Sequence, residues 1–288
     1  MIMDFIKVVI YGIIEGITEF LPISSTGHLI LLSRFLPLSP QSFENAFSVI
    51  IQLGAILSVL VLYFDRLNPF SKNKGRLKER SSEKSLSIKE HWEYRDFRTM
   101  RLIAKIIVGF LPAAVLGFLF DDLIDKYLFN NVTVALALTF YGIVIIVMES
   151  RKIREVKFET IDDIDMKSVV LIGCFQCLAM VPGTSRSAAT IIGAMLLGCS
   201  RKSAAEFSFF LAIPTMLGAT GLKIIKLGFA FSATQWMQIA LGMAVSFAVA
   251  YGVIVKFMGY IKKHDFKIFG IYRIILGLTV LFVTFLAK

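Results

Sequence analysis

The sequence predicts an all-α polytopic membrane protein with an inverted-topology repeat, six full transmembrane helices and two re-entrant helical hairpins. Of its 288 residues, 56% are hydrophobic and 18% are charged, whereas soluble domains carry about 25% charged residues. Several apolar runs approach the ~20 residues that cross a ~30 Å hydrocarbon core. Two longer runs carry a polar break, and such a break is tolerated at membrane depth only inside protein or beside a cavity. We therefore expect residues 1–288 to form a single integral membrane domain.

Eight apolar segments can be counted along the chain. The first and the fifth, at about 5–36 and 168–198, contain the Pro/Gly breaks. We interpret each of them as a hairpin that enters and leaves the membrane on the same side. The other six are predicted full spans, at about 44–64, 101–120, 132–149, 204–222, 236–258 and 269–287.

Lys and Arg residues between the apolar segments predict the orientation of the chain. Residues 65–100 hold ten of them, and such loops face the cytoplasm. The same reasoning places 150–167 and 259–267 inside, the aspartate-rich segment 121–131 outside, and both termini outside. Because the basic residues lie between spans, the net charge of +10 needs no nucleic-acid partner, and we predict none.

The segment from Glu15 to His28 concentrates polar groups inside the first apolar run. Glu15 and Glu19 are four residues apart, so they share one face of a helix. Each carboxylate would cost ~2.5–3.5 kcal/mol in hydrocarbon, and such residues usually face a cavity or a partner. Pro22 then disfavours continuation of the helix. Three hydroxyl residues, a glycine and His28 follow the proline, which predicts a functional site.

The second broken run carries a complementary set of groups around Arg186. Gly183 would let the backbone approach a ligand closely, and Thr184 and Ser185 add hydroxyls. Arg186 offers a planar fork of donors that suits phosphate. A helix that begins near Ser185 would direct its N–H groups and its positive dipole end at the same point. We therefore predict an anion site in this hairpin.

The two hairpins together have the groups that a diphosphate requires. Arg186 and backbone N–H groups can neutralise part of the charge, and a divalent cation, Mg²⁺ or Ca²⁺, held by Glu15 and Glu19 can neutralise the rest. Ser25 is a candidate nucleophile, and His28 is a candidate base for it or acid for the leaving group. Ser24 and Thr26 are further candidates for binding the diphosphate.

Short correspondences between the two halves indicate the inverted repeat. Pro22–Ser25 aligns with Pro182–Ser185, and Glu44 before one span corresponds to Glu206 before another. In such repeats, broken helices meet near the midplane and build the binding site. The counter-charges of Arg186 are accordingly predicted to be Glu15 and Glu19 from the other hairpin and the diphosphate of the substrate, with the ligand as the main partner.

The two motifs, Glu15–His28 and Pro182–Ser187, resemble the signature regions of the bacterial undecaprenyl-diphosphate phosphatases of the bacitracin-resistance type. Further similarities lie at Ile51–Gly54, Cys174–Cys177 and Glu206–Phe209. The resemblance implies a membrane enzyme that removes the terminal phosphate of the C55 carrier lipid diphosphate and recycles the carrier for peptidoglycan synthesis.

The resemblance also implies roles for individual residues. It implies catalytic or metal-binding roles at Glu15 and Glu19, catalytic roles at Ser25 and His28, and phosphate binding at Arg186. It leaves open whether Ser25, His28 or water attacks phosphorus. We expect a multi-pass protein of the bacterial cytoplasmic membrane with its active site open to the outer side. The oligomeric state, including a homodimer, is left open.

Other functional classes explain less of the sequence. A transporter or flippase of prenyl phosphate lipids would also use inverted repeats and broken helices, but it does not require an acid, a hydroxyl and an imidazole together. The acid-phosphatase-like lipid phosphatases require a histidine six residues after the arginine, where this chain has Ile192. The pair Cys174 and Cys177 has a redox spacing but lacks both a thioredoxin-like context and a second pair for zinc.

Overall fold

The structure is a computed structural model, and it describes residues 2–70, 96–151, 155–227 and 231–286. Most of the predicted basic loop at 65–100 therefore lies outside the described residues. The described part of the chain is helical, with the following α-helices: α1 (Ile2–Thr18), α2 (Ser25–Phe35), α3 (Gln41–Ile50), α4 (Gln52–Leu62), α5 (Phe64–Leu67), α6 (Phe97–Leu128), α7 (Asn131–Ser150), α8 (Met166–Cys177), α9 (Arg186–Leu196), α10 (Arg201–Leu227), α11 (Ala233–Tyr260) and α12 (Lys267–Leu286).

Six of these elements are long and apolar enough to cross a membrane, which confirms the predicted spans. They are α3 with α4, then α6, α7, α10, α11 and α12. The first span bends at Ile51, where a single turn residue separates α3 from α4. Helix α6 is longer than predicted, because it continues to Leu128 through most of the segment expected to be an outer loop. Only two residues, Phe129 and Asn130, separate it from α7.

Both broken segments fold back on themselves. In the first hairpin, α1 and α2 are separated by a turn, and Lys7 Nζ donates to the Pro37 carbonyl at 2.6 Å. The end of α2 therefore returns to the level at which α1 begins. In the second hairpin, α8 is followed by a short 3₁₀ turn and then by α9. Gly193 of α9 lies directly against Phe175 of α8, so this hairpin closes in the same way.

Each hairpin packs on a span of the other half, and this reciprocal arrangement is the one that the inverted repeat predicts. The first hairpin packs through α1 on α11, the fifth span, and the second packs through α8 on α6, the second span. The third and sixth spans, α7 and α12, pack on each other. Each hairpin thus docks on a helix of the opposite half, which brings the two polar turns together at the centre of the molecule.

The turns confirm the repeat but correct its register. Ser24 and Ser185 are the only non-glycine residues in the described ranges with positive φ, at 71° and 72°. Each is the N-cap of the following helix and accepts a hydrogen bond from the N–H three residues later. Ser185 is therefore equivalent to Ser24 and not to Ser25, so the alignment through Pro22 and Pro182 is wrong by one residue. Equivalent positions in the hairpins differ by 161, which pairs Ser25 with Arg186.

Close helix packing fixes the hairpins. A Cβ added to Gly12 would lie 2.8 Å from the Gly242 carbonyl oxygen, and one added to Gly16 would lie 2.7 Å from that of Ser246. Gly173 of α8 meets the Gly109 carbonyl of α6 in the equivalent contact. Small residues at helix interfaces let backbones approach in this way inside membranes. This packing places both hairpin turns at fixed positions.

Candidate active site

An ion pair between the two hairpins lies at the centre of the site. Arg186 Nη2, at the first position of α9, lies 3.2 Å from Glu19 Oε1, just after α1. Both side chains are almost fully buried, at 6% and 4% exposed. The prediction that the counter-charge of Arg186 comes from the first hairpin is confirmed for Glu19. Because removal of either partner would leave an uncompensated buried charge, this pair links the two hairpins.

Arg186 is also held by a residue that the sequence analysis missed. Its Nη1 donates to the Ser208 carbonyl at 2.7 Å, and Ser208 Oγ is 3.4 Å away. Ser208 Oγ accepts in turn from Thr190 Oγ1 at 2.7 Å. Arg186 Nε has no hydrogen-bond partner among the described residues. The guanidinium is therefore fixed in orientation, and its buried Nε carries a hydrogen that no described residue accepts.

The second carboxylate oxygen of Glu19 accepts from the predicted nucleophile. Ser25 Oγ lies at the start of α2 and donates to Glu19 Oε2 at 2.8 Å. Glu19 therefore links Arg186 and Ser25 through its two oxygens. A buried carboxylate within hydrogen-bond reach of a hydroxyl has the geometry of a general base. From the sequence, a catalytic role of Glu19 is implied only by the family resemblance.

His28 makes different contacts from those that a Ser25 base would make. Its Nδ1 lies 2.7 Å from the Ser24 carbonyl and its Nε2 lies 2.7 Å from the Tyr272 hydroxyl. A carbonyl oxygen only accepts, so Nδ1 carries a proton, and in the neutral ring Nε2 accepts from the tyrosine. The two rings stack with centroids 5.5 Å apart. The structure thus directs the Ser25 hydroxyl to Glu19 and the imidazole to Tyr272.

Glu15 is fully buried beside these groups. No hydrogen-bond donor in the described part of the chain reaches either of its carboxylate oxygens. Glu19 and Arg186 are the charges that act on it. Two oxygens without donors are suitable ligands for a hard cation. The described residues gather no group of three or more His, Cys, Asp or Glu for a metal ion, so a cation here would need further oxygens from a phosphate or water.

The remaining predicted binding residues differ in accessibility. Ser185 Oγ accepts from the Ala188 N–H at 3.3 Å and pairs with Ser187 Oγ at 3.0 Å. Ser24 Oγ caps α2, and Thr26 is half-buried at its first turn. Thr184 is fully buried.

Gly183 packs closely against α7. Its φ is +92°, and an added Cβ would meet the Val134 backbone on α7. The glycine therefore permits close packing of the turn on α7, and its contact with a ligand stays a prediction.

Arg273 of α12 is the largest feature that the sequence analysis missed. It is completely buried. Its guanidinium donates to the Pro22 carbonyl at 3.2 Å and to the Gly183 and Thr184 carbonyls at 2.9 Å each. One side chain therefore ties the turns of both hairpins together. An arginine within the apolar run 269–287 was the signal that could have identified it, because charges at that depth are usually functional.

Sequence comparisons agree with this architecture. A family model described as bacitracin resistance protein BacA matches residues 8–279. Undecaprenyl-diphosphatase 1 of Clostridioides difficile is 49% identical over 286 residues, covering 99% of this chain and 98% of that protein. Undecaprenyl-diphosphatase of Fusobacterium nucleatum is 52% identical over 281 residues, covering 95% and 98%. Undecaprenyl-diphosphatase of Enterococcus faecalis is 48% identical over 290 residues, covering 99% of each.

Proposed function

Since this chain belongs to the bacitracin resistance protein BacA family, we propose that it is an undecaprenyl-diphosphatase. The enzyme hydrolyses undecaprenyl diphosphate to undecaprenyl phosphate and inorganic phosphate. The observation that carries the proposal is the position of Glu19, which contacts Arg186 through one oxygen and Ser25 through the other. At the junction of the hairpins, the Glu19 carboxylate thus contacts both the Arg186 guanidinium, which would bind phosphate, and the Ser25 hydroxyl, which Glu19 would activate.

The contacts of Arg186, Glu19 and Ser25 support a separate role for each residue in the reaction. The free donors of Arg186 bind the terminal phosphoryl group, and Ser208 and Glu19 hold that arginine in place. Glu19 accepts a proton from the attacking hydroxyl, either of Ser25 or of a water in its place. The new P–O bond forms as the bond to the bridging oxygen breaks, and the lipid phosphate leaves with those electrons. If Ser25 attacks, water then cleaves the phosphoserine and regenerates the hydroxyl.

His28 and Tyr272 have a separate role in this proposal. Their mutual hydrogen bond leaves neither in contact with Ser25, so they serve the leaving group or the departing phosphate instead. The imidazole is held in one tautomer by Ser24. The Tyr272 hydroxyl can donate its proton to the leaving group and receive another from Nε2 of His28. This transfer requires an imidazole ring that carries a proton on Nε2.

A divalent cation, Mg²⁺ or Ca²⁺, is part of the proposal. Glu15, with Glu19 beside it, would hold the ion, and the diphosphate oxygens and water would complete its coordination. When bound, the ion would neutralise charge on the transferring phosphoryl group.

Removing the Glu15 carboxylate tests the metal. We expect Glu15→Gln to lower kcat by at least tenfold in saturating Mg²⁺ and to weaken Mg²⁺ binding measured by calorimetry in the presence of a non-hydrolysable diphosphate. Wild-type enzyme should lose its activity in excess chelator and recover it when Mg²⁺ is restored. Full activity of Glu15→Gln in chelator would remove the metal from the mechanism.

Release of inorganic phosphate from undecaprenyl diphosphate by the purified protein in detergent tests the proposed reaction. A flippase or transporter of prenyl phosphate lipids, the alternative that the inverted repeat also fits, would release none in detergent. Phosphate release above the level of a heat-denatured sample is the expected result. Its absence, in protein shown to be folded and supplied with Mg²⁺, would favour transport.

The biological role and the orientation belong to the same proposal. The reaction recycles the lipid carrier for peptidoglycan synthesis, and this activity confers bacitracin resistance. The protein spans the membrane several times, and we place it in the bacterial cytoplasmic membrane with the site open to the outside. The lysines of 259–267 support this orientation.

Cysteine labelling tests the orientation. A cysteine replacing the exposed Lys263 should react with a membrane-impermeant maleimide only after the cells are opened. A cysteine replacing Thr234, at the start of α11, should react in intact cells. The reverse pattern would invert the orientation.

A further inference from the structure

The two halves of the molecule depart from their symmetry at one place. Along α1, the contact with α11 stays tight toward the turn, since a Cβ on Gly16 would lie 3.0 Å from the backbone nitrogen of Ala250. The equivalent contact of α8 with α6 is tight at Gly173. Two turns further along α6, a Cβ on Gly117 would meet only the terminal methyl of Met180, at 3.7 Å. The contact between α6 and the second hairpin therefore leaves a gap at Gly117, whereas the equivalent contact between α11 and the first hairpin is closed.

This gap reaches the candidate active site. It encloses a cavity of about 190 Å³ lined by Thr26, Gly117, Ile124, Phe129, Met180 and Pro182. Thr26 follows Ser25 in the chain, and Pro182 belongs to the turn that Arg273 holds. The cavity therefore lies between α6 and the first turn of α2, the helix that begins at Ser25. The other sides of the site are packed, by α11 against Gly12 and Gly16 and by α7 against Gly183.

The surface beyond the gap is apolar. Phe118 and Leu119 of α6 are 79% and 61% exposed. Toward the N-terminus of α6, a groove of about 430 Å³ continues between α6 and α8, lined by Val108, Leu111, Val115, Leu116, Val170 and Cys174. Leu116 of the groove and Gly117 of the cavity are consecutive residues of α6. The nine residues from Val108 to Leu116 are separated by eight helical rises of 1.5 Å, so they extend the groove by about 12 Å.

We propose that the first isoprene units of the substrate lie in this cleft between α6 and the second hairpin, which we call the α6 cleft. The proposal rests on the proposed function, because it assigns the lipid half of the same substrate. The diphosphate requires the charged groups at Arg186 and Glu19, whereas the chain attached to it requires apolar surface within one or two bonds of them. Among the described residues, the α6 cleft supplies both a path from Thr26 and an apolar lining.

A bulky side chain in the cleft tests the assignment. Gly117→Phe should raise KM for undecaprenyl diphosphate and for farnesyl diphosphate at least tenfold and leave kcat within about twofold, because the phenyl ring displaces the chain and not the phosphate. The matched control is Gly252→Phe on α11, where an added Cβ meets nothing within 4 Å. It should change neither constant. An unchanged KM in Gly117→Phe, or a fall in kcat alone, would overturn the proposal.

A second measurement does not depend on turnover. A farnesyl-length diphosphate with a benzophenone at its end should cross-link wild-type protein within 108–129 or 170–182. Cross-links confined to α7 and α12 would overturn the proposal even if Gly117→Phe fails to fold. Wild-type protein that cross-links in the cleft but releases no phosphate would refute the proposed function and leave the assignment of the cleft intact.

Discussion

Replacement of Arg186 by lysine is expected to lower kcat/KM for undecaprenyl diphosphate by about 30-fold or more, and replacement by alanine to lower it by up to several thousand-fold. Loss of one charged, desolvated hydrogen-bonding partner is worth ~2–5 kcal/mol, and each 1.36 kcal/mol is a factor of ten in rate. Lysine keeps the charge but lacks the planar fork. It can therefore pair with Glu19 or with phosphate, but it cannot hold Ser208, Glu19 and a phosphate oxygen simultaneously.

The structure also changes the expected effect on stability. From the sequence, the partner of Arg186 was expected to be mainly the ligand. The bonds to Ser208 and Glu19 mean that Arg186→Ala leaves a buried carboxylate unpaired, which typically costs ~3–5 kcal/mol. We therefore expect a lower melting temperature for Arg186→Ala and a nearly normal one for Arg186→Lys.

A matched arginine separates stability from catalysis. Arg201 makes two hydrogen bonds to Glu149, at 2.9 and 2.5 Å, in a second ion pair away from the hairpin turns. Arg201→Lys should lower the melting temperature modestly and leave kcat/KM unchanged. If Arg186→Lys turns over substrate as fast as Arg201→Lys, the arginine does not bind the phosphoryl group and the second hairpin is structural.

Glu19→Gln is expected to lower kcat by about 10²–10⁴, the range that a positioned general base contributes. Glutamine has nearly the same shape, but it cannot take a proton from Ser25 and it removes the negative charge opposite Arg186. The change should appear in single-turnover kinetics of phosphate release, because it affects the chemical step. KM should change less than kcat, since Arg186 still binds the phosphate.

Glu44 provides the control for this substitution. It is also buried, and it accepts from the Leu38 N–H at 2.6 Å and from the Tyr11 hydroxyl at 3.3 Å. Glu44→Gln should reduce stability without a selective loss in kcat. Near-normal turnover by Glu19→Gln would exclude Glu19 as the base. A comparison with Ser25→Ala then identifies the nucleophile: an equal loss indicates Ser25, and a much smaller loss indicates water.

The class of the protein and the pairing of its two motifs could be predicted from the sequence alone. A chain with so many apolar runs has no soluble alternative, and a polar break inside such a run must be buried in protein. The cost of a charge in hydrocarbon made Glu15, Glu19 and Arg186 functional candidates and required a partner for the arginine. The inverted repeat placed that partner in the other hairpin. Each of these conclusions depends only on the residue composition and on the order of the residues along the chain.

Other features were decided only by the tertiary structure. The roles of Ser208, Tyr272 and Arg273 depend on the rotation of α10 and α12 about their axes, because half a turn of rotation would direct the same side chains into lipid. Ser25 bonds to Glu19 and not to His28 because the backbone of Ser24 has a positive φ. Serine rarely adopts this backbone state, and the residue type alone does not predict it. The gap at Gly117 arises where two equivalent helix contacts differ, and neither helix shows that difference by itself. Contacts between distant segments are fixed by packing, so the sequence indicated which groups must meet and the fold determined how they do.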